Sequence, residues 1–272
     1  MTSFPYKKVL LLGSTSGIGA ALADKLVENG VFVIGVGRRE ERLKEFVSKH
    51  GQGKADHRVF DINDLDKIPN FISETFKAHP DIDFVSINPG IQRALDFTDP
   101  SSVDLEKFDL ELKTNYTAPV YLTKAILPYL TSQPNKPTAI AYTTTQLALI
   151  TLNSRPNYGA SKAALHHFIL ALRAQLEKSS ASSNLKIIEV YPPAVQTELH
   201  DSKHQPDLKN GNQIGMPLKE FTEQLWEGLV QGKEDVAVGT AKDAFDAIEP
   251  ARRKESKKFN DTMDEALKEF LA

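Results

Sequence analysis

The sequence predicts an α/β protein: a doubly wound parallel sheet with helices on both faces. Three observations predict it. Short apolar runs and helix-period stretches alternate six times over 272 residues, with no repeat, low-complexity block or linker between them. The runs are apolar throughout rather than alternating, as befits strands buried on both faces. The first run passes through three glycines in seven residues, Gly13, Gly17 and Gly19, straight into a helical pattern.

In order, residues 9–12 form the first strand. Ile18, Leu22 and Leu26 then recur every fourth residue, the apolar stripe of a helix, and Gly30 ends it. A second strand covers 31–36, a helix 40–49 and a third strand 58–62. Residues 64–77 read as a helix around Pro69, and 83–88 as a fourth strand stopped by Pro89-Gly90. A long helix runs over 108–130, with Pro119 set to kink or loosen one turn. Strands at 138–145 and 185–191 bracket a helix at 158–178. Beyond Thr197, residues 196–216 form a polar loop long enough to act as a lid. A helix at 221–230, a strand at 235–238 and a charged helical extension over 249–272 complete the chain. The extension has Phe259, Met263, Leu267 and Phe270 about four apart and reads as a surface or docking helix. With no dividing linker, residues 1–272 are expected to form one domain.

Composition narrows the function. Net charge is −3, so neither nucleic acid nor an anionic membrane is indicated as a partner. No apolar run reaches membrane-span length, and residues 1–6 lead into the first strand without a signal-peptide core. The chain has no cysteine, which excludes disulfides, thiol nucleophiles and Cys-based metal sites. A soluble cytoplasmic protein is expected.

Strand, glycine turn and helix make an anion site, because first-turn N–H groups lack helical partners and glycine lets a pyrophosphate approach the backbone. A βα turn that needs glycine only for its geometry gives the same pattern. Tyr158 and Lys162 stand four apart at a helix start and face one way; alone they read equally as an exposed pair. Thr145 ends a strand already rich in threonine. Asn115 lies mid-helix, where asparagine is mildly unfavourable unless its side chain has a partner. His166 and His167 fit helix packing or surface better than a metal site. His200 and His204 would need a third ligand to hold zinc, and no metal is expected.

Taken together, Tyr158-Gly159-Ala160-Ser161-Lys162, the turn Gly13 to Gly19, Asn88-Pro89-Gly90, Asn115 and Thr145 resemble the short-chain dehydrogenase/reductase family in order and spacing, from about residue 9 to 197. Leu12 replaces the threonine usual before the first glycine, and Ile87 stands where a first asparagine is common. Pro89 replaces the usual alanine, Thr145 the usual serine and Pro193 the usual glycine. Every functional group is kept, although the extra methyl of Thr145 narrows the pocket.

The resemblance implies a Rossmann-type oxidoreductase acting on a small carbonyl or alcohol, with Tyr158 as general acid/base. Lys162 would hold the nicotinamide ribose, Thr145 the substrate oxygen and Asn115 a relay water. An ammonium ~4 Å from the phenol would favour phenolate by up to ~4 kcal/mol at an effective dielectric of 20. Gly13, Ser14, Ser16, Gly17, Ile18 and Gly19 would cradle the cofactor's phosphates. Asp61 and Ile62 would flank adenine, Asn88 and Gly90 the ribose, and Pro192, Val195 and Thr197 the nicotinamide. An NAD-preferring member usually ends its second strand with an acid. Here Gly37 is followed by Arg38 and Arg39, which suits the 2′-phosphate of NADP(H) over NAD(H). The resemblance also implies a homodimer or homotetramer built on the helices near 116–130 and 158–178. The rival expectation is a catalytically silent NADP(H)-binding sensor or interaction protein on the same fold.

Overall fold

The computed structural model describes residues 4–133, 135–268 and 270. Of the sequence expectations, residues 1–3 of the N-terminal lead and residues 269, 271 and 272 of the C-terminal extension lie outside the described residues. Seven parallel strands form one sheet in the order β3-β2-β1-β4-β5-β6-β7. They are β1 (Lys8–Leu12), β2 (Phe32–Gly37), β3 (Ala55–Val59), β4 (Phe84–Ile87), β5 (Thr138–Thr143), β6 (Leu185–Tyr191) and β7 (Asp235–Ala237). The helices are α1 (Gly17–Glu28), α2 (Glu40–His50), α3 (Ile68–Ala78), α4 (Leu105–Leu112), α5 (Ala118–Thr131), α6 (Pro156–Glu177), α7 (Leu218–Val230) and α8 (Thr240–Ala266).

Side-chain alternation explains why the strands are apolar on both faces. Val9 and Leu11 of β1, with Val33 of β2, face α1 and α7 and their buried Leu26 and Leu225. Leu10 and Leu12, with Ile34 and Val85, face α3, α5 and α6 and their Ile72, Leu122 and Ile169. The sheet reverses strand order at β1, which pairs with β2 on one side and β4 on the other. In such sheets the crevice beyond the carboxyl ends at this reversal receives the ligand.

Three elements differ from expectation. The third strand lies at residues 55–59, not 58–62. It is an edge strand paired only with β2, so it needs no apolar run, and Val59 is exposed. The apolar residues after it serve the turn instead: Phe60 stacks on Phe71 of α3 with centroids 4.0 Å apart, and Ile62 is buried. The long helix over 108–130 is interrupted. A π-helical turn, Lys113–Thr117, separates α4 from α5 just before Pro119 and carries Asn115. The C-terminal helix begins at Thr240, because Gly239 adopts φ +56° and turns the chain directly off β7. Its Phe259 and Leu267 are exposed, so the helix rests on the body through other residues, among them Ala241 and Glu249.

Candidate active site

Beyond β1 the glycine turn is closed on itself. Gly13 (φ +81°) and Gly17 (φ +54°) hold left-handed conformations. A Cβ on Gly19 would lie 2.0 Å from the Gly13 carbonyl oxygen and 2.7 Å from Asn88 Nδ2. Asn88 Nδ2 in turn donates to that carbonyl at 3.3 Å, and Thr143 Oγ1 donates to Asn88 Oδ1 at 3.0 Å. The ends of β1, β4 and β5 are thus tied together. Ser14 Oγ donates to the Val36 carbonyl, and Ile18 packs into the α1 side of the core.

Ser16 is the N-cap of α1, yet its hydroxyl makes no capping bond. It accepts Arg39 Nη2 at 2.5 Å, and Thr15 Oγ1 accepts Arg39 Nε at 3.1 Å and Nη2 at 2.9 Å. Arg42 Nη1 donates to the Thr15 carbonyl at 3.0 Å. Both guanidiniums also clasp Glu198, Arg39 at 2.7 Å and Arg42 at 2.6 Å. Burial pushes the Glu198 carboxyl up, but the two arginines outweigh it and hold the group below the usual carboxylate range. Arg38 points elsewhere. Its side chain is largely exposed and pairs with Asp61 at 3.5 Å. The basic group at the glycine turn is therefore Arg39 with Arg42, one and four residues beyond the arginine that the sequence singled out.

Tyr158, Lys162, Thr145 and Asn115 are all buried, Asn115 completely. A Cβ on Gly90 would lie 3.4 Å from Lys162 Nζ and 3.5 Å from Asn115 Oδ1, so those two polar tips converge on one point beside Gly90. Lys162 Nζ donates to the Thr143 carbonyl at 2.8 Å. Thr145 Oγ1 donates to the Pro192 carbonyl at 3.3 Å and accepts Leu147 N–H at 3.2 Å. Asn115 is engaged on both sides: Oδ1 accepts Ile91 N–H at 3.0 Å, while Nδ2 donates to the Ile91 carbonyl at 2.9 Å and to Ser161 Oγ at 3.0 Å. The partner that a mid-helix asparagine requires is thus the first residue after Gly90. Val195 is buried and bridges to Met216, and Thr197 packs 3.2 Å from a Cβ on Gly17.

Electrostatics depart from the simple expectation at Tyr158. Burial drives its phenol well above the ordinary range and Glu111 adds to the rise, while a hydrogen bond with Thr145 opposes them. Burial lowers Lys162 itself to about 8, against the pull of Glu189 and Glu111. Glu111 is a buried carboxylate that sequence reasoning missed; it accepts Arg93 N–H at 2.9 Å and Asn157 Nδ2 at 2.8 Å. Burial raises its carboxyl too, against the hydrogen bond from Asn157.

The 196–216 loop is fastened over the site. Arg155, buried at the start of α6, donates to Gln205 Oε1 at 2.9 Å and to Asp207 at 2.5 Å. Gln205 Nε2 continues to Gln92 Oε1 at 2.8 Å. Gln146 turns away toward α8, accepting Thr240 Oγ1 at 2.9 Å. His166 is fully buried between two glutamates and His167 is exposed. Among the described residues no cluster of potential ligands is arranged for a metal ion, and no helix is long and apolar enough to cross a membrane.

Residues 7–207 match the family described as short chain dehydrogenase. The uncharacterized oxidoreductase DltE of Bacillus subtilis is 34% identical over 231 residues, covering 84% of this chain and 86% of that one. A short chain dehydrogenase/reductase from Burkholderia phymatum, solved in complex with NAD, superposes with a TM-score of 0.78 at 16% identity, covering 94% and 96% of the two chains. A short-chain dehydrogenase from Sphingobium yanoikuyae in complex with NADPH gives a TM-score of 0.76 at 20% identity, covering 92% and 95%. At those identities the two structures bear on the fold alone. The extent of the family match and the identity to the Bacillus relative show that this chain belongs to the short-chain dehydrogenase/reductase family of oxidoreductases.

Proposed function

We propose that the chain, read as one domain, is an NADP(H)-dependent carbonyl reductase or alcohol dehydrogenase with Tyr158 as general acid/base. The observation that carries the reading is the convergence of Lys162 Nζ and Asn115 Oδ1 beside Gly90, with Tyr158 and Thr145 both buried. The glycine turn fits a dinucleotide, since Gly13 and Gly17 take the left-handed conformations that fold it tightly, and it presents the α1 N-terminus to a pyrophosphate. Arg39 and Arg42 would hold a 2′-phosphate, and no carboxylate stands at the end of β2 to take a ribose hydroxyl. Bound there, the nicotinamide supplies or accepts the hydride.

The chain's own residues handle the proton. Tyr158 donates to the carbonyl oxygen as it becomes an alkoxide, and its high affinity for the proton keeps it in the acid form that reduction requires. Thr145 hydrogen-bonds the same oxygen and fixes its distance from the phenol. Lys162, on the same helix face as Tyr158, would hold the nicotinamide ribose, and Asn115 would hold a relay water beside Gly90. Pairing of two copies through α5 and the neighbouring helices is part of the reading, supported by exposed Leu110 and Tyr121.

Mixing the protein with NADPH and a panel of ketones tests this directly. NADPH absorbance is expected to fall with at least one ketone, and Tyr158→Phe to slow that turnover by about 10²–10⁴-fold. Tight NADPH binding with no consumption across the panel would favour the sensor reading; a fully active Tyr158→Phe would end the acid/base assignment.

A further inference from the structure

Beneath the catalytic pair lies a second polar network that the proposed chemistry does not use. Glu189 of β6 and His166 of α6 are both fully buried, as is Glu249 of α8. His166 Nδ1 meets both Glu189 oxygens at 2.9 Å, and Nε2 meets Glu249 Oε1 at 3.2 Å. Both ring nitrogens of His166 thus lie within hydrogen-bonding reach of a carboxylate. At the inner end Thr144 Oγ1 donates to Glu189 Oε1 at 2.7 Å. Thr144 lies between Thr143, whose carbonyl holds Lys162, and Thr145. At the outer end Arg253 Nε donates to Glu249 at 3.0 Å and Arg252 pairs with it at 2.9 Å. Tyr191, Asp235 and Arg173 close the network on its β7 side. Lys162 and His166 stand one helical turn apart on α6, so they share a face.

Burying three ionisable groups this completely is costly unless they are paired, and hydrophobic replacements would serve packing as well or better. The arrangement makes sense as electrostatics for the site above it. We propose that Glu189 is a positioning residue of the active site. Its carboxylate, braced by His166 and through it by Glu249 of α8, fixes the Thr143–Thr145 end of β5 and places a negative charge beneath Lys162. The C-terminal helix, which lies beyond the family-matched residues 7–207, thereby becomes part of the active-site support. Glu189 of β6 and Glu111 of α4 both oppose the loss of the Lys162 proton, while His166 stands against Glu189 and Arg252 and Arg253 against Glu249.

The inference rests on the proposed catalytic reading for its kinetic arm only. The direct test follows the Lys162 side-chain carbon resonance against pH in full-length protein carrying ¹³C-labelled lysine, assigned with Lys162→Arg. Glu189→Gln keeps the shape and removes the charge; the Lys162 midpoint is expected to fall by about half a pH unit or more. An unchanged midpoint overturns the charge role, whatever happens to thermal stability. Should that variant not fold, Glu249→Gln reports from the far end, with a smaller fall expected and none overturning the link to α8. Thr144→Val keeps the charge but cuts its bridge to β5. It is expected to lower kcat several-fold at unchanged KM and unchanged Lys162 midpoint; unaltered kcat overturns the positioning of β5. A protein inactive toward every carbonyl that still shows the midpoint fall in Glu189→Gln sinks the proposed function and leaves the charge coupling standing.

Discussion

At the scale of single residues, Lys162 carries the sharpest conflict between stability and chemistry. Burial lowers its pKa from 10.5 to about 8 against the pull of Glu189 and Glu111, so at neutral pH the fold tolerates a charge it would rather shed. The unfolded chain binds this proton more tightly than the folded one. Stability contributed by Lys162 is therefore lost below about 8 and rises with pH between about 8 and 10.5. The shift corresponds to about 3 kcal/mol as an upper bound, and the bond to the Thr143 carbonyl gives part of it back. Lys162→Met is accordingly expected to abolish turnover yet raise Tm at pH 7 by a few degrees. Calorimetry at several pH values checks this: the gap between parent and variant should close toward about pH 10. A variant less stable at pH 7 would show that the ammonium is net stabilising where it lies. The Tyr158–Lys162 pair was legible because four-residue spacing fixes a shared helix face before anything else is known. Glu189 was not, since a single acid inside an apolar strand signals nothing until partners 23 and 45 residues away, His166 and Thr144, are folded against it.

At the scale of elements, the proposed nucleotide preference rests on the turn from β2 into α2. The sequence pointed to Arg38 at the end of this strand, while the side chain that lies against the glycine turn is that of Arg39. The residue that turns inward depends on how the strand hands over to the helix. Arg39 takes φ −93° and ψ 88° as the N-cap of α2 and swings across Thr15 and Ser16, while Arg38 is left at the rim with Asp61. No periodicity encodes that swing. Arg39→Ala is expected to weaken NADPH binding by about 10–100-fold, the loss of a hydrogen bond to a charged group, and to spare NADH. Arg38→Ala should change either affinity by far less. Fluorescence titration of both cofactors separates them, and a larger loss in Arg38→Ala would return the assignment to that residue. Glu198 competes for the same guanidiniums. About a third of its side chain and two fifths of theirs are exposed, so the pairs are screened and worth about 1 kcal/mol or less. Glu198→Gln should tighten NADPH binding by no more than about fivefold. The misplaced β3 and the late start expected for α8 share a cause. Both lie where the chain leaves the sheet's centre, and there burial no longer writes itself into an apolar run.

At the scale of the molecule, the sheet ends and the 196–216 loop are held in different ways. The strand ends are welded by Asn88, Thr143 and the Gly13 carbonyl. The loop, in contrast, is held to the body by side chains, chiefly Arg155 through Gln205 and Asp207 and Gln205 through Gln92. A segment fastened by a few polar links opens at lower free energy than the core and can do so without global unfolding. Arg155 is itself buried and bonds both Gln205 and Asp207, so its removal cuts two links at once and should release the loop as a unit. Arg155→Ala is therefore expected to speed amide exchange across 198–214 by about tenfold or more while the strands keep their protection. Turnover of a carbonyl should fall mainly through KM, because Tyr158 and Lys162 are held from α6 and β5 rather than from the loop. Hydrogen-exchange mass spectrometry decides the point. Faster exchange spreading into β5 and β6 would mean that Arg155 supports the sheet itself, and that the loop and the catalytic floor open together.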